Sequence, residues 1–530
     1  MKSRAKSVAP VRNRLMNGAA ILALGGLIAK FLGAFYRVPL TNILGAQGMG
    51  MYQLVFPVYA LFMTVATAGI PTALSRMVAE KRALGEETKK YLVCALCLLS
   101  AAAAVAGILI AGLSGVIARW QGNTDTSVCY LVIAPAVFFV GVIAGLRGWF
   151  QGEMYMVPTA VSNILEQAVK LAVGIGLAIV FAPRGLKASV MGALTGITAS
   201  EVVAALYLAI TYAVRSRKAP SERLRLQRQE GAEMFRVAFP IALLGLMMPL
   251  GSFFDSMVIV NALKWGGVST ATATAQYGLY SGPVVSLVNM PVVMTVSLAI
   301  AVVPSVSLSR VEHDIKAIMT KSRLSLKLVY LIGVPVALFF IVFGRNMLSL
   351  MYPALSDAEI AVSAGLLSVS SLGIVMTGAT QIYISLLQGL DRTYSAVKSL
   401  FAAIIVKLVL SIVLVRYWGI VGAAVASVAM SATSLVALNL IFSSLTGLRM
   451  EKNIAQILAS GVIMALVGVV VREYVPTDIG VIAAGIAVSA FVYGWLTTLF
   501  GVFSEEEFLS LPFGARLVKI RRIVRFWEQN

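Results

Sequence analysis

The sequence predicts an all-α polytopic membrane protein of about 14 transmembrane helices: two six-helix lobes related by a parallel internal repeat, plus two extra C-terminal helices. Three observations carry this. Hydrophobic residues make up 59% of the 530-residue chain and charged residues 12%, against about 45–50% and about 25% in a soluble domain. Apolar runs recur along nearly the whole chain, mostly at around 20 residues or longer, the length a bilayer-spanning helix needs. The two halves of the chain also repeat each other. The alternation of a β-barrel strand is absent.

A window of about 19 residues places the spans in order. The first, 17–43, follows a basic lead-in (Lys2, Arg4, Lys6, Arg12, Arg14). It is too long for a signal-peptide core and reads as a retained helix. The second, 52–79, opens at Gly50-Met-Tyr52 and closes at Pro71 to Arg76. The third, 91–117, holds Cys94 and Cys97, a CxxC pair inside an apolar run that reads as packing. The fourth, 130–150, ends beside Arg147 and Phe150-Gln151-Gly152. The fifth, 158–181, carries Asn163, Glu166 and Lys170, and the sixth, 188–213, carries Glu201. The seventh, 234–262, carries Asp255. The eighth, 282–306, is preceded by Gly278-Leu-Tyr280 and followed by Ser309-Arg310. The ninth, tenth, eleventh and twelfth are 325–343, 360–386, 395–415 and 419–445, with Lys407 in the eleventh. The last two are 454–471 and 479–501. Prolines 57, 71, 135, 240, 249, 291 and 335 fall inside spans, where each removes a helix hydrogen bond and permits a kink.

The repeat sets the domain organisation. Gly50-Met-Tyr52 is echoed by Gly278-Leu-Tyr280, Arg76 by Arg310, Phe150-Gln151-Gly152 by Leu387-Gln388-Gly389, and Lys170 by Lys407. The expected parts are an N-lobe (1–213), a charged linker (214–231), a C-lobe (232–445), the two extra helices (446–501) and a basic tail (502–530). Six spans per copy start both copies from the same side, so the repeat is parallel, an architecture of alternating-access carriers.

Basic residues orient the chain. Of 43 Lys and Arg, 29 fall in segments on one side and seven in loops on the other. The richer side is cytoplasmic by the positive-inside rule, and both termini lie there. The net charge of +20 is therefore mostly a topology signal and not a nucleic-acid site. The basic tail, Arg516 to Arg525, reads as a stretch lying on the anionic inner leaflet. The only histidine is His313, which excludes a Ser-His-Asp triad and a histidine-rich metal site.

Charges within spans are the candidate functional residues, because a charge at mid-bilayer costs roughly 2.5–3.5 kcal/mol and normally faces a cavity or a partner. Lys30 and Arg37 lie two turns apart on one face of the first span, with Gly33 leaving room between them. Together they suit a phosphate or pyrophosphate; the alternative is that Arg37 snorkels to the interface. Glu166 and Lys170 have the favourable i, i+4 order for an ion pair, and Asn163 extends their face. That pair is either structural or touches substrate, and Arg147 either joins the site or snorkels. Arg76 and Arg310 suit gating. Asp255 could take a cation or pair with a cationic residue; Lys407 is a further intramembrane charge, and Glu201 reads as an interior polar contact. The set is richer in cations than in carboxylates, which suits an anionic head group.

The run from Ala29 to Gly85, AKFLGAFYRVPLTNILGAQGMGMYQLVFPVYALFMTVATAGIPTALSRMVAEKRALG, resembles the polysaccharide-biosynthesis and stage V sporulation protein B group. That group belongs to the multidrug/oligosaccharidyl-lipid/polysaccharide (MOP) superfamily, which includes the MurJ-like lipid II flippases. The likeness covers essentially the whole chain. Lys30-Phe-Leu-Gly33-Ala-Phe-Tyr-Arg37 matches the basic first helix of MurJ-like proteins, with Lys where they usually have Arg. Asp391-Arg-Thr-Tyr-Ser395 matches their Asp-x-x-Thr-Pro turn without its proline. Asp255 and Asp391 resemble carboxylates of a sodium site in some relatives, while Lys407 would set an ammonium where a sodium site wants none.

The resemblance implies a bacterial plasma-membrane flippase for an undecaprenyl-pyrophosphate-linked saccharide, such as a peptidoglycan precursor. Its expected partners are that anionic lipid-linked substrate, membrane lipids and cell-wall synthesis proteins. No cofactor or metal is expected; a sodium ion or the membrane potential is the candidate driving force. It also implies that the last two helices form a groove for the polyprenyl tail. The competing readings are a flippase for other surface polysaccharide units, a drug exporter, a polyprenyl-linked glycosyltransferase and a non-transporting scaffold. A glycosyltransferase would need a carboxylate-rich loop, and the outer loops carry only scattered acids (Asp125, Asp357, Glu359).

Overall fold

The computed structural model describes residues 2–67, 69–216, 228–447 and 453–502. Residues 217–227 of the charged linker and the tail beyond 502 lie outside the described residues. Among the described residues every regular element is a helix. A backbone without water must satisfy its own polar groups, and uninterrupted apolar runs do so as helices.

In chain order the helices are α1 (Lys2–Thr67), α2 (Ile70–Ala83), α3 (Lys89–Gly112), α4 (Ser114–Trp120), α5 (Ser127–Gly152) and α6 (Val157–Val169). A π-turn, Lys170–Gly174, joins α6 to α7 (Ile175–Phe181), followed by α8 (Leu186–Ser216) and α9 (Arg228–Trp265). Next come α10 (Thr270–Leu279), a second π-turn at Tyr280–Val284, and α11 (Val285–Val311). The chain continues through α12 (Ile315–Met351), α13 (Asp357–Gly389), α14 (Thr393–Trp418), α15 (Ile420–Thr446), α16 (Asn453–Tyr474) and α17 (Asp478–Leu499).

Among the described residues thirteen helices are long and apolar enough to cross a membrane. One of them, Leu24–Ala83, runs for 60 residues, whereas one crossing takes about 20. It holds the first two expected spans, broken at Gly45 (φ 63°, ψ −175°), so the count agrees with about fourteen. Two details differ from expectation. Pro71 does not kink a span; it lies in the first turn of α2, just after Gly69 (φ 70°). The eighth span begins near Thr270, not near 282. Its threonines read as loop by hydropathy, yet Thr274 Oγ1 donates to the Thr270 carbonyl (2.7 Å) and accepts from Asn123 Nδ2 (3.0 Å).

Polar caps start several helices. Ser356 and Glu359 form a capping box at α13. Asp314 accepts from Ala317 N (2.9 Å) at α12, and Thr477 from Gly480 N (3.2 Å) at α17. Such caps contribute about 1 kcal/mol each.

Packing groups the chain into two compact units: Met1–Gly282 with Ser411–Tyr417, and Pro283–Leu410 with Trp418–Asn530. The lobe boundary at the linker is a feature of the sequence repeat; compactness instead divides the chain within the second π-turn. In the first unit, one apolar cluster gathers Tyr36, Met49, Tyr52, Tyr130 and Ile197. Another gathers Leu74, Leu92, Leu99, Trp149 and Phe150. In the second unit α12 is the shared wall. Tyr493 of α17 donates to the Leu331 carbonyl (3.0 Å), Arg472 of α16 to the Val342 carbonyl (3.1 Å), and Asn346 Nδ2 to Asp478 (2.7 Å). A polar ladder joins α13 to α15 through Thr377–Ser431 (3.0 Å), Thr380–Ser434 (3.2 Å) and Tyr383–Asn439 (2.7 Å). Interhelical bonds of this kind contribute about 0.6–2 kcal/mol each.

Candidate functional site

Five ionisable side chains from five neighbouring elements meet inside the first unit. Glu166 on α6 is the hub. Its Oε2 accepts from the Arg147 guanidinium on α5 (3.1 Å), and its Oε1 lies 3.8 Å from Lys170 Nζ and accepts from Gln167 Nε2 (3.0 Å). Arg147 Nε also donates to Ser162 Oγ (2.9 Å). Glu201 on α8 is within Coulomb range of Glu166, Lys170 and Arg147. Its Oε1 accepts from the Tyr59 hydroxyl on α1 (3.2 Å).

The local fold explains this convergence. Glu166 and Lys170 are i, i+4 on one helix face. Lys170 then opens the π-turn, a helical distortion frequent at functional sites. Gly196 of α8 lies against the Gly174 backbone at the end of that turn, which lets α8 approach closely and bring Glu201 inward. The Arg147, Glu166 and Lys170 side chains keep only 12–19% exposure, so water screens their attraction weakly.

The expected Glu166–Lys170 pair therefore forms, but Arg147 is the closer partner of Glu166. Asn163 is half-buried one turn before Glu166. Lys30 is exposed and Arg37 half-buried on α1. Gly33, between them, packs against Gln167 Oε1, so their stripe adjoins the cluster. Arg37 is within Coulomb range of Tyr36 and Tyr52. Asp255 is half-buried on α9 and within Coulomb range of Tyr277. Arg76 forms a surface pair with Glu80 (2.9 Å) on α2, which contributes little.

In the second unit Arg310 pairs with Asp391 at 3.5 Å. Asp391 sits at a turn with φ +61° and an 80% exposed side chain. Lys407 is buried. Among the described residues no group of three or more His, Cys, Asp or Glu could hold a metal.

Sequence reasoning undervalued two residues. Glu201, 4% exposed, lies about 22 Å into α8 at 1.5 Å per residue. Its depth was a signal in the sequence. Lys327, at the start of an apolar run, is 4% exposed; only packing reveals its burial.

At the end of the first unit that the charge bias assigns to the outside, α1 crosses α10 at two glycines. A methyl group on Gly278 would lie 2.5 Å from Gly50 N and 2.9 Å from Gly50 Cα, and would overlap the Ala46 carbonyl. A methyl on Gly50 would overlap the Thr274 carbonyl. Only hydrogen fits at either position. Polar contacts surround the crossing: Gln53 Nε2 to the Ser281 carbonyl (2.9 Å), Tyr277 Oη to the Gln53 carbonyl (3.3 Å), and Gln121 Nε2 to Ser256 Oγ (3.1 Å).

Known proteins share this architecture. An inward-facing multidrug resistance MATE family transporter of the MOP superfamily superposes with a TM-score of 0.68 at 15% identity, over 81% of this chain and 98% of its own. Lipid II flippase MurJ in an inward closed conformation gives 0.66 at 15% identity, over 91% and 99%. The chain thus has the polytopic helical fold of these membrane transporters. Stage V sporulation protein B of Bacillus subtilis (strain 168) is 27% identical over 96% of this chain and 99% of its own length. Lipid II flippase MurJ of the same organism is 23% identical over 78% and 80%. The chain belongs to the polysaccharide biosynthesis protein family, whose model matches residues 15–310.

Proposed function

We propose that the protein flips an undecaprenyl-pyrophosphate-linked saccharide across the bacterial plasma membrane by alternating access, with both termini cytoplasmic. The observation that carries this is the cationic surplus on one side of the first unit. Arg147 and Lys170 share a single ion-paired carboxylate, and the Lys30–Arg37 stripe adjoins them. A pyrophosphate leaving water needs compensating positive charge, and these four side chains carry it within the spans. Lys30 and Arg37 receive the phosphates, Lys170 and Arg147 assist, and the prenyl tail stays in lipid along α16 and α17. The relatives named a lipid II flippase and a sporulation protein favour a peptidoglycan precursor as cargo. A structural likeness that extends over 91% of the chain for MurJ, against 81% for the MATE transporter, supports a flippase over a drug exporter. The coupling ion or potential, and any cell-wall synthesis partner, are further parts of this proposal.

The test is reconstitution. Vesicles carrying the protein and a labelled lipid-linked disaccharide are probed for head-group exposure on the far leaflet. Exposure that depends on the protein and is lost in Lys30→Ala and Arg37→Ala supports the reading. Exposure no faster than in protein-free vesicles defeats it.

A further inference from the structure

The Glu201 carboxyl is buried, and neither neighbouring cation points at it. Arg147 and Lys170 both reach Glu166 within ion-pair distance; Glu201 meets the Tyr59 hydroxyl at 3.2 Å. A phenol can serve either protonation state, donating to a carboxylate or accepting from a carboxylic acid O–H. Glu201 is 4% exposed, and one carboxylate and two cations lie within Coulomb range of it. The ionisable groups facing Glu201 are thus Tyr59 from α1, Arg147 from α5, Glu166 from α6 and Lys170 from the π-turn. With Glu201 ionised, Arg147, Lys170, Glu166 and Glu201 sum to zero charge. With Glu201 protonated they carry one positive charge.

We propose that the Glu201–Tyr59 pair is a reversible proton-binding site, and that its occupancy sets the charge the Arg147–Glu166–Lys170 cluster presents to an anionic cargo. The proton comes from solvent and rests on a Glu201 Oε. The protonated cluster attracts a phosphate-bearing group; the deprotonated cluster lets it go. The second half of this proposal rests on the anionic-cargo reading; the first half does not.

Infrared difference spectroscopy on the full chain in lipid vesicles tests the proton site directly. From about pH 5 to about pH 9, the wild type should lose a carboxylic-acid carbonyl band that shifts in heavy water. Glu201→Gln should abolish that band, and Glu166→Gln, which removes a neighbouring negative charge, should move its loss to lower pH. A pH-dependent band that survives Glu201→Gln, or no such band in the wild type, overturns the site. Should Glu201→Gln fail to insert, Tyr59→Phe leaves the carboxyl in place and must shift the band; an unmoved band then overturns the pairing.

Inorganic pyrophosphate is the probe for coupling. Its affinity should fall about tenfold or more from about pH 6 to about pH 9 in wild type relative to Glu201→Gln, which reports the probe's own titration. An equal fall in both overturns the coupling. A wild type that binds no pyrophosphate at any pH defeats the anionic-cargo reading, while the infrared band still decides the proton site.

Discussion

Replacing Gly278 with alanine should open the end of the protein that the charge bias places outside. The added methyl would sit 2.5 Å from Gly50 N and 2.9 Å from Gly50 Cα, about 1 Å inside ordinary van der Waals separation. Every obstructing atom is backbone, so no side chain can swing away, and α1 and α10 must part by about that much. The Gln53–Ser281 bond at 2.9 Å would then stretch beyond hydrogen-bonding range. Overpacking costs about 1–3 kcal/mol and the lost bond about 1 kcal/mol. The closed arrangement should therefore lose about 2–4 kcal/mol, a shift of roughly 30- to 1,000-fold toward separation. The assay is maleimide labelling of Ser256→Cys, buried in the closed state, in a background free of the three native cysteines. External reagent should label it in Gly278→Ala and not in the parent. Gly245→Ala, where a methyl meets nothing within 4 Å, should behave as the parent. A Gly278→Ala protein that inserts at parental levels and stays unlabelled refutes the reasoning.

Glu166→Gln should strand the Arg147 and Lys170 cations. The loss should be about 2–3 kcal/mol, less than for a fully buried pair, and should appear as lower folded yield and melting temperature. Adding Arg147→Met should recover more of that loss than adding Lys170→Met, since 3.1 Å is the closer contact and 3.8 Å the looser. Arg37→Lys should transport at an intermediate rate because it keeps charge but loses the bidentate fork, and Lys30→Arg should be tolerated; a silent Arg37→Ala in the vesicle assay would favour mere snorkelling. For topology, cysteine tags in the 217–227 linker should label only from the cytoplasm and Trp265→Cys only from outside; the reverse pattern overturns the orientation.

Much of the fold was legible because hydropathy reports helices that must satisfy their own backbone. The expected span 360–386 became α13 (Asp357–Gly389), and 188–213 became α8 (Leu186–Ser216). The eighth span was misplaced because threonine satisfies its hydroxyl within its own helix, which a hydropathy window cannot register. The Glu166–Lys170 pair was legible since i, i+4 spacing is a property of one helix. Arg147 and Glu201 joining it was not, because which face of a helix meets which neighbour depends on packing between distant segments. The Gly50–Gly278 echo was visible as a repeat, but nothing in the sequence says that repeat mates touch.

That crossing is reciprocal between the repeats. Gly50 lies against the Thr274 carbonyl, and Gly278 against that of Ala46. Thr274 is the repeat mate of Ala46, just as Gly278 is of Gly50. A contact in which one residue meets the mate of another, and the reverse also holds, is the signature of an isologous two-fold interface. Each glycine thus faces a backbone carbonyl of the other repeat, and a side chain at either one breaks the same reciprocal contact from its own side.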